Sequence, residues 1–144
     1  MTTEDAGGGM LEPSPHVRRA EALERKRRAE SRQAAQMVRQ FADAASAAGI
    51  TPVRFTAQPY GGGSRLRTNV EGWYLKRDRT VGVGTDGQFY VLSVAPSLMA
   101  RFTGAQLDPA DPPLELGKGG RDGESMPMEE ALRKRLEGGN AWAT

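Results

Sequence analysis

Residues 73–94, WYLKRDRTVGVGTDGQFYVLSV, decide the fold. Two apolar runs flank Thr85-Asp86-Gly87-Gln88, and Asp-Gly readily adopts the positive φ values that a short hairpin turn requires. Read as a two-residue loop, Asp86-Gly87 sets Gly84 opposite Phe89 and Gly82 opposite Val91. A four-residue turn at Lys76-Arg77-Asp78-Arg79 also sets Trp73 opposite Gly82. One face then carries Trp73, Leu75, Phe89 and Val91, the other Tyr74, Val81, Val83, Tyr90, Leu92 and Val94, with aromatic rings covering the glycines. Residues 89–94 are apolar on both sides, which predicts a central strand.

Upstream, residues 66–75 have extended character and Gly61-Gly62-Gly63-Ser64 interrupts the chain. Residues 51–57 alternate apolar and polar, so Val53, Phe55 and Ala57 are expected on one face of an edge strand that begins after Pro52. An exposed edge of that kind is a candidate homodimer contact. Downstream, Pro96-Ser97 ends the apolar run, and residues 98–103 read as a fourth strand in preference to one helical turn. Residues 108–113, rich in Asp-Pro, and 117–123, rich in glycine, are expected loops.

Helices are expected at both ends of this sheet. Ser14 and Pro15 form a cap and first-turn pair, and no proline or glycine follows until Gly49. Met37, Val38, Phe41, Ala45 and Ala48 form an apolar stripe that should dock on the sheet. The first half of the same helix has no face to bury: Arg18, Arg19, Arg25, Lys26, Arg27, Arg28 and Arg32 surround it together with Glu21, Glu24 and Glu30. It reads as a solvated helix held by i, i+4 pairs or as a contact surface. Near the other end, Ser125 as cap, Glu129 and Glu130 in the first turn, and Arg133-Lys134-Arg135 before Gly138 match the helix dipole, with Met128, Ala131, Leu132 and Leu136 as the buried stripe. The expected fold class is α+β: a small antiparallel sheet of about four strands, with a long N-terminal helix and a short C-terminal helix packed on it. The expected organisation is a flexible tail over 1–13, a basic helical arm over 14–33, the α+β domain over 34–138 and a second tail over 139–144.

The 144-residue chain has no cysteine, which excludes disulfides, thiolate metal sites and a thiol nucleophile, and it is most simply read as cytoplasmic. No stretch approaches the roughly 20 apolar residues that span a bilayer, so no membrane association is expected. His16 is the only histidine, which makes a Ser/His/Asp triad improbable and a two-histidine metal site impossible. Asp108 and Asp111 are turn residues before they are paired carboxylates. No metal and no cofactor are expected.

Three groups of residues are candidates for binding. The arm residues Arg18, Arg19, Arg25, Lys26, Arg27, Arg28 and Arg32 form a basic cluster for a partner. Arg65, Arg67, Lys76, Arg77 and Arg79 border Trp73 and Tyr74, the combination with which sheet-based nucleic-acid binders hold phosphates and stack bases, although the two aromatics read first as core. Lys118, Gly119, Gly120 and Arg121, between Gly117 and the last helix, have the composition of an anion loop or of a plain connector, and they do not form a Walker A motif. The leading expectation is a small non-enzymatic adaptor or regulatory protein that binds a protein partner through its α+β body and basic arm. The alternative is a nucleic-acid-binding protein that uses the arm and the basic sheet edge; an enzyme acting on a phosphorylated substrate is the least supported reading.

Overall fold

The computed structural model describes residues 12–117 and 125–142. In chain order it contains α1 (Pro15–Ala47), β1 (Val53–Pro59), β2 (Leu66–Tyr74), β3 (Val81–Gly84), β4 (Phe89–Val91), β5 (Ser93–Val94), α2 (Leu98–Thr103), β6 (Glu115–Leu116), β7 (Met126–Pro127), α3 (Met128–Gly138) and a 3-10 turn (Gly139–Ala141). The fold is α+β. Contacts divide the chain into two units between Glu30 and Ser31. The first unit holds the start of α1, where Ser14 Oγ accepts from the Val17 N–H at 3.2 Å. Among the described residues no helix is long and apolar enough to cross a membrane.

The sheet of the second unit has five strands in the order β4-β3-β2-β1-β5 and is mixed, not the purely antiparallel four expected, because β5 runs parallel to β1. Its two end strands are consecutive in the chain. Residues 89–94 pair with β3 through β4 and with β1 through β5, so the sheet curls back onto itself. Leu92 is the junction: its N–H donates to Thr80 O and its carbonyl accepts from Gln58 N–H, both at 2.9 Å, and its side chain is fully buried. The expected central strand is thus paired on two sides by two different halves. β1 lies between β2 and β5, and β5 covers only its last two residues, Gln58 and Pro59, so that residues 53–57 pair with β2 alone.

Both hairpin loops are one residue longer than their sequence suggests. Gly84 N–H donates to Gln88 O and Gly87 N–H to Gly84 O, each at 2.9 Å, leaving a three-residue loop with Gly87 at φ +78°. The other turn spans residues 76–80, with Arg79 at φ 60°, and Thr80 donates to Asp78 Oδ1 through both its N–H (3.1 Å) and Oγ1 (2.7 Å). Together they shift the register, so that Val83 faces both Trp73 and Phe89 while Gly82 faces Tyr74 and Tyr90. Val81 and Val83 therefore join Trp73, Leu75 and Phe89 on the helix-facing side.

Two cores result. On the outer face Trp73, Leu75, Val83 and Phe89 pack with Val38, Phe41, Ala42 and Ala45 of α1 and Met128, Ala131 and Leu132 of α3. Trp73 meets Phe41 edge-on at 5.8 Å and donates its indole N–H to Ile50 O at 2.9 Å. Met37 is partly buried as part of the stripe, whereas Ala48 is exposed. Inside the curl, Phe55, Ala57, Val70, Tyr90, Leu92 and Leu107 form the second core. The glycines are indeed covered by aromatics, but by Phe55 and Tyr90. A Cβ on Gly82 would lie 2.6 Å from the Phe55 ring, and one on Gly72 would lie 2.8 Å from that ring and 2.0 Å from Val83 O.

Other elements correct the sequence reading. Residues 98–103 are helical, not a strand, because Ser97 caps them and Gly104 at φ +87° ends them. α3 starts at Met128 with Pro127 in the cap position, since residues 126–127 pair with β6, and Ser125 is not its cap. Gly139–Ala141, expected within a tail, form the 3-10 turn, where Asn140 Oδ1 accepts from Thr51 N–H at 2.8 Å.

Substituting Gly82→Ala should destabilise the fold by about 1–3 kcal/mol through overpacking against Phe55, and Gly72→Ala by more, since backbone is what it meets. In urea unfolding, Phe55→Leu should cost less in the Gly82→Ala background than alone; strict additivity would show that the ring does not rest on this glycine. Burial, then a 2.6 Å hydrogen bond from Tyr90 OH to Asp86 Oδ2, then the carboxylates of Asp86 and Asp108 push the Tyr90 phenol up to about 12 from an ordinary 10.0. The folded state therefore holds this proton where the unfolded state releases it, so the contribution is intact below pH 10 and is lost as pH rises towards 12. Thermal unfolding across pH 9–12 should fall more steeply for the native chain than for Tyr90→Phe.

Candidate docking surface

The helix α2 is six residues long, too short to persist without help from its ends. That help is specific. Ser97 Oγ accepts from Ala100 N–H (3.2 Å), Thr103 Oγ1 donates to Met99 O (2.9 Å) and Gly104 N–H donates to Ala100 O (2.8 Å). The chain beyond is tied to β2, with Ala105 N–H donating to Arg67 O at 2.7 Å and Leu107 N–H to Asn69 Oδ1 at 2.8 Å. Yet α2 buries none of its own residues. Leu98, Met99 and Phe102, spaced i, i+1, i+4 and so on one side, are 75%, 70% and 87% exposed.

Arginines border this apolar face. A cleft of about 360 Å³ beside Phe102 is lined by Arg54, Arg65, Arg67 and Arg101, and a second of about 650 Å³ shares Arg65 and Arg101 and reaches Leu98 and the Gly62-Gly63-Ser64 loop. Neither has a carboxylate among its described lining residues. Arg65 is committed to the fold: Nε donates to Thr56 Oγ1 (2.7 Å) and Nη2 to Thr56 O (2.6 Å) and Arg79 O (3.0 Å). Arg54 reaches Thr68 O at 3.3 Å and pairs with Glu71 at 3.1 Å. Among the described residues, Arg67 and Arg101 have no side-chain ion pair or hydrogen bond.

The sequence candidates separate in space. Arg65 and Arg67 lie in the cleft, and Arg79 joins through its carbonyl. Lys76 and Arg77 instead line a different cavity of about 1170 Å³ with Leu75, Leu116, Met126, Lys134 and Trp142. Trp73 is buried, and Tyr74 is half-buried with its hydroxyl accepting from Thr56 N–H at 3.0 Å. The exposed rings are Tyr60 and Phe102, which were not singled out in the sequence. On α1 the seven arm residues are exposed; Glu24 pairs with Arg27 and, at 3.9 Å, with Arg28, whereas no Glu21–Arg25 pair forms. Lys118, Gly119, Gly120 and Arg121 lie outside the described residues. Among the described residues no group of three or more His, Asp or Glu side chains is arranged to hold a metal ion.

Trp142, just beyond the 3-10 turn, packs against Arg135 of α3. Its ring lies 4.6 Å from the Arg135 guanidinium and 5.9 Å from that of Arg77. Arg135 is buried, and burial lowers its pKa from the ordinary arginine value. Its Nε donates to Tyr74 O at 3.0 Å and its Nη1 to Gly139 O at 2.8 Å, joining α3, β2 and the final turn. No protein-family model, curated protein or solved structure matches the chain.

Removing the two charge-assisted bonds with Arg135→Ala should cost about 2 kcal/mol or more. Arg135→Lys should recover little, because one ammonium does not reproduce the planar fork that serves both carbonyls. Urea midpoints of the two variants measure this, and a lysine variant as stable as the native chain would contradict it.

Proposed function

We propose that this chain is a non-enzymatic adaptor or regulatory protein that docks a protein partner through the α2 surface of its body, with the basic arm over residues 14–33 as a second contact. The supporting observation is the exposure of Leu98, Met99 and Phe102 on a helix that is capped and tethered yet buries none of its residues. Burying such side chains contributes roughly 1.5–3 kcal/mol each. Aromatic, methionine and arginine residues are also the types enriched in protein interfaces. The arginine-lined cleft favours nucleic acid as a second reading, but phosphate contacts give no reason for Leu98 and Met99 to stand in water.

Affinity isolation from native lysate with the native chain and with Phe102→Asp, each with and without nuclease, tests the proposal. A partner protein should survive nuclease and be lost with Phe102→Asp, whose unfolding midpoint should match the native chain because the side chain is exposed. Reversing Arg25, Lys26, Arg27 and Arg28 to glutamate should weaken the same complex. Recovery of nucleic acid alone, with affinity falling about 10³-fold or more between low and moderate salt, would transfer the surface to the second reading.

A further inference from the structure

Resting on the docking reading above, we infer that the partner segment seated on α2 is acidic: a stretch that presents an apolar anchor to Leu98, Met99 and Phe102 and carboxylates to the guanidinium groups beside them. The argument is charge complementarity. Arg67 and Arg101 have no ion-pair partner among the described residues, Arg54 has one exposed carboxylate at 3.1 Å, and the adjoining clefts present no carboxylate among their described lining. Seating any segment on Phe102 strips water from the cleft beside it. A neutral or basic segment would leave those guanidinium groups desolvated and unpaired, whereas carboxylates match their forked geometry and strengthen as water leaves.

Two other occupants fit less well. A second copy meeting this surface about a two-fold axis would set the arginine cluster against itself. A single-stranded nucleic acid would satisfy the charges and stack on Phe102, but it offers nothing to the aliphatic pair Leu98 and Met99. An acidic, amphipathic protein segment answers both halves of the surface.

The test is photocrosslinking with the full chain in the cells that produce it, with benzoylphenylalanine in place of Phe102 and the captured segment sequenced by mass spectrometry. The expected adduct is a protein segment with Asp or Glu within a few residues of the crosslinked position. Its yield should fall about tenfold or more when Arg67→Glu and Arg101→Glu are added. Both changes are on exposed side chains, so the unfolding midpoint should be kept. A captured segment without carboxylates, or a yield indifferent to the charge reversal, overturns the acidic inference and leaves docking intact. Adducts to a second copy or to nucleic acid overturn it in favour of those occupants. No adduct of any kind at this position overturns the docking reading itself.

Discussion

The second unit depends on a ring resting on bare backbone. Phe55 is fully buried and lies over Gly72 and Gly82, where any side chain would collide with it or with the neighbouring strand. Gly72 and Gly84 also face each other across β2 and β3, so the strands carry little side-chain bulk on the inner face there. Absence of Cβ atoms permits the curvature, and the phenylalanine fills the space that the curvature encloses. Tyr74 at 5.0 Å and Tyr90 at 6.5 Å complete the aromatic packing around it.

Much of this was legible as a list of elements and little of it as geometry. The helix limits followed from Ser14, Pro15 and Gly49, and the meander from the alternation around Asp86-Gly87. Register did not follow, because the third loop residue at 84–88 and the fifth at 76–80 are set by hydrogen bonds rather than by residue type. A one-residue change in either loop turns every side chain over, and so Val81 and Val83 fell on the wrong face. The bend at Leu92 has no glycine or proline to announce it. An apolar run with two wet-averse sides looks the same whether it sits between two strands or is divided between two neighbours.

The site was less legible than the fold for a related reason. Arginines in this chain are frequent enough that proximity in sequence says little; Arg65 and Arg67 met Arg54 and Arg101 only through the pairing of β1 with β2 and the tether of Ala105 to β2. Residues 98–103 read as a fourth strand, and the sequence holds no mark of the exposure of Leu98, Met99 and Phe102. Trp142 was the reverse case: read as part of a tail over 139–144, its ring instead lies 4.6 Å from the Arg135 guanidinium.

The parallel pairing of β5 with β1 is a seam. It joins residues far apart in the chain through a contact only two residues long, whereas the hairpins on either side close locally. Its loop-closure cost is the largest in the sheet and its own hydrogen bonds are few, so it is the natural last step of assembly and the first place to breathe. α2 and its apolar face begin four residues after that seam, at Leu98. Any opening of this seam would therefore reach the exposed face of α2 directly, so that covering Leu98, Met99 and Phe102 and cohesion of the sheet would bear on one another.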